Sequence, residues 1–122
     1  MGRVIGIGGV FVKSDHPKDL AAWYKTVLGM EIKSWGGAKF EHPKLGCTVW
    51  SAFPADSDYL DPSPHVIMVN LIVDDLDGVL ARAAEAGVQP LKRSDDEGQG
   101  RFAWVMDPAG VKLELWEPKA EA

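Results

Sequence analysis

"VIMVNLIVDDLDGVLARAAEAGV", residues 66–88, is the stretch that decides the fold. It begins with a run of β-branched and aliphatic residues, which is typical of a buried strand. An acidic pair follows, and apolar residues then recur at helical spacing from Leu76 to Ala83. Gly87 suits the end of that helix. The stretch therefore predicts a strand, an acidic helix cap and a helix.

The same order of elements occurs once before in the chain. Residues 4–13, "VIGIGGVFVK", predict a strand, and residues 14–29, "SDHPKDLAAWYKTVLG", predict a helix. Ser14 is a cap-type residue, Pro17 suits the first helical turn, and Gly29 suits the helix end. The repeated order indicates an internal duplication.

Each helix is followed by short segments that predict further strands, at 31–35, 38–42 and 48–53 in the first half and near 89–93, 101–106 and 112–117 in the second. Each half therefore reads β-α-β-β-β. We predict one domain over residues 1–122, with repeat one at about 4–53, a linker rich in proline and acid at 54–65, and repeat two at about 66–118.

A single β-α-β-β-β unit has a helix over only one face of its sheet, so the other face needs cover. We therefore predict an α+β fold in which two βαβββ repeats form a curved mixed sheet around a cavity, with the helices outside. One row of the opening strands is apolar and suits the underside of a helix: Val10, Val12, Val69, Leu71 and Val73. The alternate row mixes residue types and is predicted to face the cavity: Gly9, Phe11, Lys13, Met68, Asn70 and Ile72.

The closing stretch "VMDPAGVKLELWEP", residues 105–118, predicts a strand, a turn at 107–110 and a last strand. Glu114 and Trp116 share one face of that last strand by alternation. A solvent-exposed strand face would carry polar residues, whereas this face carries a tryptophan next to the glutamate. We therefore predict that Glu114 points into the cavity.

Composition excludes several classes of function. The net charge of −5 lacks the basic patch that nucleic acid or an anionic membrane would need. No apolar run approaches the roughly 18 residues of a membrane span, and no secretory signal pattern opens the chain. Cys47 is the single cysteine, so an intrachain disulfide is impossible. We expect a cytoplasmic protein with a small-molecule or protein partner.

Taken together, the doubled β-α-β-β-β order, "WYKTVLGM", "VDDLDGVLARAAEAGV" and "DPAGVKLELWEP" resemble the vicinal oxygen chelate superfamily. That superfamily includes glyoxalase I, bleomycin-resistance proteins, fosfomycin-resistance enzymes and extradiol dioxygenases. The resemblance covers nearly the whole chain. It implies a fold that hosts several chemistries as well as proteins that only sequester a ligand, and it implies frequent dimers.

In metal-dependent members, the resemblance implies ligands on the opening strands of both halves and on the closing strand. Here those positions are Gly9, Met68 and Glu114, and the segment 48–50 offers no ligand type either. Because one retained ligand cannot hold an ion tightly, we predict no metal and no cofactor. The histidines are expected elsewhere, with His65 at the start of a strand, His16 at a helix cap and His42 on the surface.

The remaining chemistry is aromatic, because the chain holds five tryptophans. Trp23 belongs to the helix core by its spacing. We predict a ligand-binding cavity that suits a flat or apolar molecule and is lined by Phe11, Phe40, Trp50, Met68, Asn70, Trp104, Glu114 and Trp116. The alternative is that these rings fill the core or a dimer interface. The stretch "SDDEGQG", residues 94–100, is predicted to be a mobile loop, and a solvated connection is favoured over closure of the cavity mouth.

Three functions remain open at this point. The first is a metal-independent binding protein of the bleomycin-resistance kind. The second is a glyoxalase-like lyase or isomerase, or a dioxygenase-type enzyme, that uses Glu114 as general acid or base or as a metal ligand; a carboxylate between aromatic rings would suit proton transfer near neutral pH. The third is a structural dimer without a ligand. Because members of the superfamily commonly assemble as dimers, the resemblance also implies a homodimer.

Overall fold

The computed structural model describes residues 2–3 and 7–119, except for the side chains of residues 96 and 97. Within these residues there are two helices and four strands. They are α1 (Pro17–Leu28), β1 (Met68–Ile72), α2 (Leu76–Glu85), β2 (Lys92–Glu97), β3 (Gly100–Met106) and β4 (Lys112–Pro118).

The four strands form one mixed sheet in the order β1-β4-β3-β2. Strands β1 and β4 run parallel, and β4, β3 and β2 are joined by antiparallel pairings. Parallel strands need a crossover connection. Between β1 and its parallel neighbour β4, the chain passes through α2 and then through β2 and β3. This is the predicted β-α-β-β-β unit of the second half.

One face of the sheet packs under the helices. Its buried core consists of Leu76, Val79, Ala103, Val105, Val111, Leu113 and Leu115. Val69, Leu71 and Val73 pack against this core, so the predicted helix-side row is confirmed in the second half. Val10 and Val12, predicted in the same row, are exposed instead, because no described strand forms there. The residues that alternate with them are left on the opposite face.

Side-chain hydrogen bonds fix the N-terminal end of α2. The side chain of Asp75 accepts a hydrogen bond from the Gly78 amide and caps the helix. The Leu76 amide donates to Oε1 of Glu117, which also accepts from Arg101. These two hydrogen bonds, led by the one from Arg101, hold the pKa of the Glu117 carboxyl below its usual range. Helix α2 is thereby tied to the end of β4.

Helix α1 begins with Pro17 in its first turn and ends at Gly29, whose φ of 70° is left-handed. His16 occupies the N-cap position, as predicted, but its side chain forms no capping hydrogen bond. Trp23 packs against the core as predicted, and it meets the Tyr24 ring edge-on at 5.2 Å. Neither helix is long and apolar enough to cross a membrane among the described residues.

The turn at 107–110 joins the two halves of the chain. Asp107 is buried, and its Oδ1 accepts from the amides of Ala109 and Val111. Its Oδ2 accepts from the Tyr24 hydroxyl of α1 at 2.6 Å. Burial, and next the hydrogen bond to Asp107, raise the pKa of Tyr24. A first-half helix is thus fastened to the β3–β4 turn.

The first half differs from the expectation. Its helix forms, but residues 7–13, 31–35, 38–42 and 48–53 contain no strand, and residues 4–6 of the predicted opening strand lie outside the described part of the chain. A β-rich composition gives a tendency to extend, whereas a strand also needs a partner edge to hydrogen-bond. The described sheet takes all its strands from the second half. The two-repeat sheet therefore stays a prediction.

The stretch 94–100, predicted as a mobile loop, instead contains most of β2, a two-residue turn and the first residue of β3. Charged residues are compatible with this position because β2 is an edge strand. The sequence pattern of a solvated loop and that of a charged edge strand are alike. Arg93 on this strand pairs with Asp77 and Asp95, which fits the edge position.

Candidate functional site

A row of four side chains crosses the sheet on the face opposite the helices. The strand register places Lys92 of β2 beside Trp104 of β3, Trp104 beside Glu114 of β4, and Glu114 beside Asn70 of β1. Residues directly paired across strands lie on the same face. The row therefore brings together an ammonium, an indole, a carboxylate and an amide from four different strands.

The carboxylate of Glu114 is the centre of this row. Its Oε2 accepts from the indole Nε1 of Trp104 at 2.9 Å, and its Oε1 accepts from the Asn70 amide at 2.7 Å. Oε2 also accepts from the hydroxyl of Tyr59 at 2.5 Å. The carboxylate thus accepts from three neutral donors of the chain. The hydrogen bond from Trp104 fixes the orientation of its indole ring.

The next row along the sheet is aromatic. Phe102 of β3 pairs with Trp116 of β4, and their rings are parallel within 3° at a centroid distance of 6.0 Å. Phe102 is also parallel to Trp104 within 16°, at 6.0 Å. The indole nitrogen of Trp116 donates to the backbone oxygen of Gln99. Each of the two tryptophans is more than nine-tenths buried, so the face is a covered aromatic surface.

Part of the cover comes from the first half. A Cβ atom on Gly46 would lie 3.0 Å from Cδ1 of Ile72 and 3.3 Å from the ring of Trp116. The φ of Gly46 is +88°, a conformation that side chains disfavour. A glycine here therefore allows the chain to approach the aromatic face closely.

The predicted linker, residues 54–65, provides the rest of the cover, and we call it the strap. The hydroxyl of Ser63 donates to the Gly110 carbonyl, and Ser63 is itself buried. A ring nitrogen of His65 hydrogen-bonds to the Ala109 carbonyl at 2.8 Å. These contacts dock the end of the strap on the β3–β4 turn and give His65 a structural role.

Tyr59 is the strap residue that reaches the row. Its ring stacks on Phe53 with centroids 5.4 Å apart, and it meets Trp104 edge-on at 6.4 Å. Lys112 of β4 donates to the backbone oxygen of Tyr59 at 2.6 Å. The Lys112 ammonium also lies 5.3 Å from the centre of the Tyr59 ring. The strap is therefore held at Tyr59 by both its side chain and its backbone.

Between the strap and the sheet lies a cavity of about 650 Å³. Four strap residues form one wall, and residues of β2, β3, β4 and the adjoining loops form the other. The lining residues are Asp58, Tyr59, Asp61, Pro62, Leu91, Lys92, Gln99, Phe102, Trp104, Lys112 and Glu114. Rings and a few charged groups therefore share the walls of this partly open cavity.

A family comparison identifies the fold. The family model for a glyoxalase-like domain matches residues 9–116, which is most of the chain. The chain belongs to the glyoxalase-like domain family. The predicted resemblance to the vicinal oxygen chelate superfamily is thereby confirmed. Among curated protein sequences, none matches this chain.

Several solved structures resemble the chain over most of its length. A glyoxalase/bleomycin resistance protein from Catenulispora acidiphila is 26% identical with a TM-score of 0.46, over 86% of this chain and 90% of that one. TnmS3, an antibiotic-binding protein from Streptomyces, is 22% identical with a TM-score of 0.51, over 87% and 88%. TioX from Micromonospora is 18% identical with a TM-score of 0.50, over 87% and 90%. The latter two likenesses concern the fold.

The metal that the superfamily implies can be tested against the residues of this glyoxalase-like domain. At the three implied positions, Gly9 has no side chain, Met68 carries a thioether, and Glu114 is already bound by three donors. Among the described residues no group of three or more His, Cys, Asp or Glu side chains is placed to hold an ion. A divalent oxygen and nitrogen site needs more ligands than this. The residues therefore do not fit the metal.

The structure brings together some of the predicted ligand-binding residues and separates others. Trp104 and Glu114 line the cavity, Asn70 contacts Glu114, and Trp116 lies in the adjacent aromatic row. Met68 lies on the same face, paired with Lys112. The remaining three lie outside the cavity and are strongly exposed, with exposed fractions of 93% for Phe11, 68% for Phe40 and 79% for Trp50.

Several cavity residues escape the sequence analysis. Phe102 and Lys112 share a strand face with Trp104 and Glu114 by simple alternation, so the pattern could have found them. Lys92 faces the cavity through the pairing of β2 with β3, which the sequence does not specify. Tyr59 belongs to a segment of turn residues without periodicity. No signal in the sequence marks it as a partner of Glu114.

Proposed function

We propose that this glyoxalase-like protein binds a flat, apolar or aromatic small molecule in the cavity between the strap and the sheet, without catalysis and without a metal. The observation that carries the proposal is the cavity itself, about 650 Å³ with Phe102, Trp104 and Tyr59 in its walls. Aromatic walls supply large contact areas and favourable ring geometry for a planar ligand. The binding function of TnmS3, described as antibiotic-binding, supports the same use of this fold.

Glu114 acts in this proposal as a brace for the aromatic wall. It accepts from Trp104, Tyr59 and Asn70, so it sets the position of two rings that a ligand would touch. A ligand would then meet a preformed wall, and less ordering would be lost on binding. Glu114 contributes to affinity through the rings that it holds.

The alternative is a lyase, isomerase or dioxygenase that uses Glu114 as acid, base or metal ligand. A general base must be within hydrogen-bond reach of the proton that it takes. Here donors of the protein occupy three of the roughly four acceptor positions of the carboxylate. The absence of fitting metal ligands at Gly9 and Met68 opposes metal-assisted chemistry in addition. We therefore favour binding over catalysis.

We propose that the protein is a homodimer. The first half exposes large apolar side chains, including Val10, Phe11, Trp35, Phe40, Val49 and Trp50. Exposed apolar side chains that gather into one large patch are rare on soluble monomers and mark interaction surfaces, which supports a covering partner here. Light scattering at several concentrations tests this proposal, and a mass of one chain throughout would oppose it. On composition alone we further expect a cytoplasmic location and no nucleic-acid or membrane partner.

Titration of the protein with a panel of neutral aromatic compounds tests the binding function, with calorimetry as the readout. A compound that binds wild type saturably should bind Trp104→Phe and Phe102→Leu several-fold more weakly. Trp35→Phe serves as the matched control, because Trp35 is 69% exposed and does not line the cavity. Equal losses in the control and the cavity variants would place the ligand elsewhere.

A further inference from the structure

We propose that the ligand carries an anionic group, such as an aromatic carboxylate or sulfonate, which pairs with Lys112 and Lys92. This inference rests on the proposed binding function and adds the chemical class of the ligand. Two ammonium groups in the cavity wall, those of Lys112 and Lys92, support it.

Lys112 is half-buried and lines the cavity. Its ammonium donates to the backbone oxygen of Tyr59 at 2.6 Å, which accounts for one of its three hydrogens. A neutral carbonyl does not balance the positive charge. A partly desolvated ammonium gains most from an anion that offers both hydrogen-bond acceptors and a negative charge.

Lys92 lies at the β2 end of the row, beside Trp104. Its ammonium is 5.7 Å from the centre of the Trp104 ring, and the register of β2 and β3 pairs the two residues. A flat ligand that contacts Trp104 therefore comes within reach of Lys92. The lysine also has a flexible four-carbon stem, so its ammonium can follow the ligand.

The two lysines differ from the ion-paired cations elsewhere in the described chain. Arg93, Arg101 and Lys33 each contact a carboxylate at 3.2 Å or less. Neither Lys92 nor Lys112 forms an ion pair with any described side chain. Glu114, the carboxylate of the row, takes its described hydrogen bonds from neutral donors instead. Both cations thus remain available to a ligand.

Two acidic residues of the strap also line the cavity, namely Asp58 and Asp61. Both residues are exposed, so water and salt screen their charges more than that of the half-buried Lys112. A cationic ligand that pairs with these aspartates is the competing outcome. The experiment therefore compares ligands of one shape and three charges.

The probes are 2-naphthoate, 2-naphthamide and 2-naphthamidine, which share a ring and a planar substituent but are anionic, neutral and cationic at pH 7. Calorimetry at low salt measures their affinities for the full chain. We expect naphthoate to bind about tenfold more tightly than naphthamide, as one charge-assisted contact allows. We expect naphthamidine to bind most weakly.

The variants Lys112→Met and Lys92→Met separate charge from shape. Each should lower the naphthoate-to-naphthamide affinity ratio several-fold, while Lys44→Met, an exposed lysine outside the cavity, should leave it unchanged. A variant that only loosened the strap would weaken the binding of both probes to the same extent. The affinity ratio therefore reports the effect of the lysine charge alone.

Equal affinity of wild type for naphthoate and naphthamide would overturn the anion proposal and leave the binding function standing. Tightest binding of naphthamidine would overturn it in favour of the strap aspartates. If none of the three probes binds, both the anion proposal and the proposed binding of flat aromatic molecules are wrong.

Discussion

The hydroxyl of Tyr59 donates to the carboxylate of Glu114 at 2.5 Å, although the two residues are 55 positions apart in the chain. This contact joins the strap to the centre of the sheet and closes one side of the cavity. It also converts Glu114 from an available carboxylate into a support for the rings around it. In the proposed binding function, the positions of the rings that a ligand would contact depend on this support.

Replacement of Glu114 tests the brace. Glu114→Ala should lower the free energy of unfolding by about 1–3 kcal/mol, because three donors lose their acceptor and one of them, the indole of Trp104, is buried. Urea unfolding followed by circular dichroism measures the change. Glu85→Ala, at an exposed site in α2, should change stability by less than about 0.5 kcal/mol. A loss for Glu114→Ala no larger than that of the control would show that the brace contributes nothing.

Replacement of Tyr24 tests the connection between the halves. Tyr24→Phe should cost about 1–2 kcal/mol, because buried Asp107 loses its hydroxyl donor. Since the folded pKa of Tyr24 is raised, the contribution is complete below the unfolded pKa of about 10 and declines as pH rises above it. The stability difference between wild type and Tyr24→Phe should therefore shrink from pH 9 to pH 11. A difference that grows over this range would contradict the assignment.

The ion pair of Glu117 and Arg101 predicts a response to acid. Because the pKa of Glu117 is lowered in the folded state, its contribution is present above the unfolded pKa of about 4.3 and is lost as pH falls through and below it. Glu117→Gln should cost about 0.5 kcal/mol at pH 7, since both partners are partly exposed. The difference from wild type should disappear near pH 3. A difference that persists there would assign the loss to packing.

A metal titration tests the ligand set at Gly9, Met68 and Glu114. We expect zinc, nickel and manganese each to bind more weakly than micromolar, because a single carboxylate with three donors leaves an ion mostly hydrated. Calorimetry, with elemental analysis of the purified protein, provides the measurement. A stoichiometric ion held at micromolar affinity and released by Glu114→Ala would contradict this prediction.

The second half was predictable because its signals are local and agree with one another. The Asp75 cap, the helical spacing to Ala83 and the turn at 107–110 each act within a few residues. Alternation in β4 then placed Glu114 and Trp116 on the cavity face. Short-range chemistry and the burial pattern point to the same fold in this part of the chain.

The first half and the strap were less predictable because their positions depend on distant partners. Phe40 and Trp50 lie in β-rich segments, yet the segments form no strands in the described structure and both rings are exposed. Tyr59 shows the converse, since it lies among turn residues and still reaches the centre of the site. Pairing across such separations is a property of the folded chain that residue order alone does not reveal.

Fluorine NMR of protein labelled with 5-fluorotryptophan tests the central claim most directly, because each of the five tryptophans gives its own signal once assigned with Trp→Phe variants. On titration with 2-naphthamide or another neutral aromatic compound that binds, the signal of Trp104 should shift saturably. The signal of Trp23, which packs on the helix side of the sheet, should stay in place. A saturable shift confined to the exposed Trp35 and Trp50, with Trp104 unmoved, would contradict a binding site between the strap and the sheet.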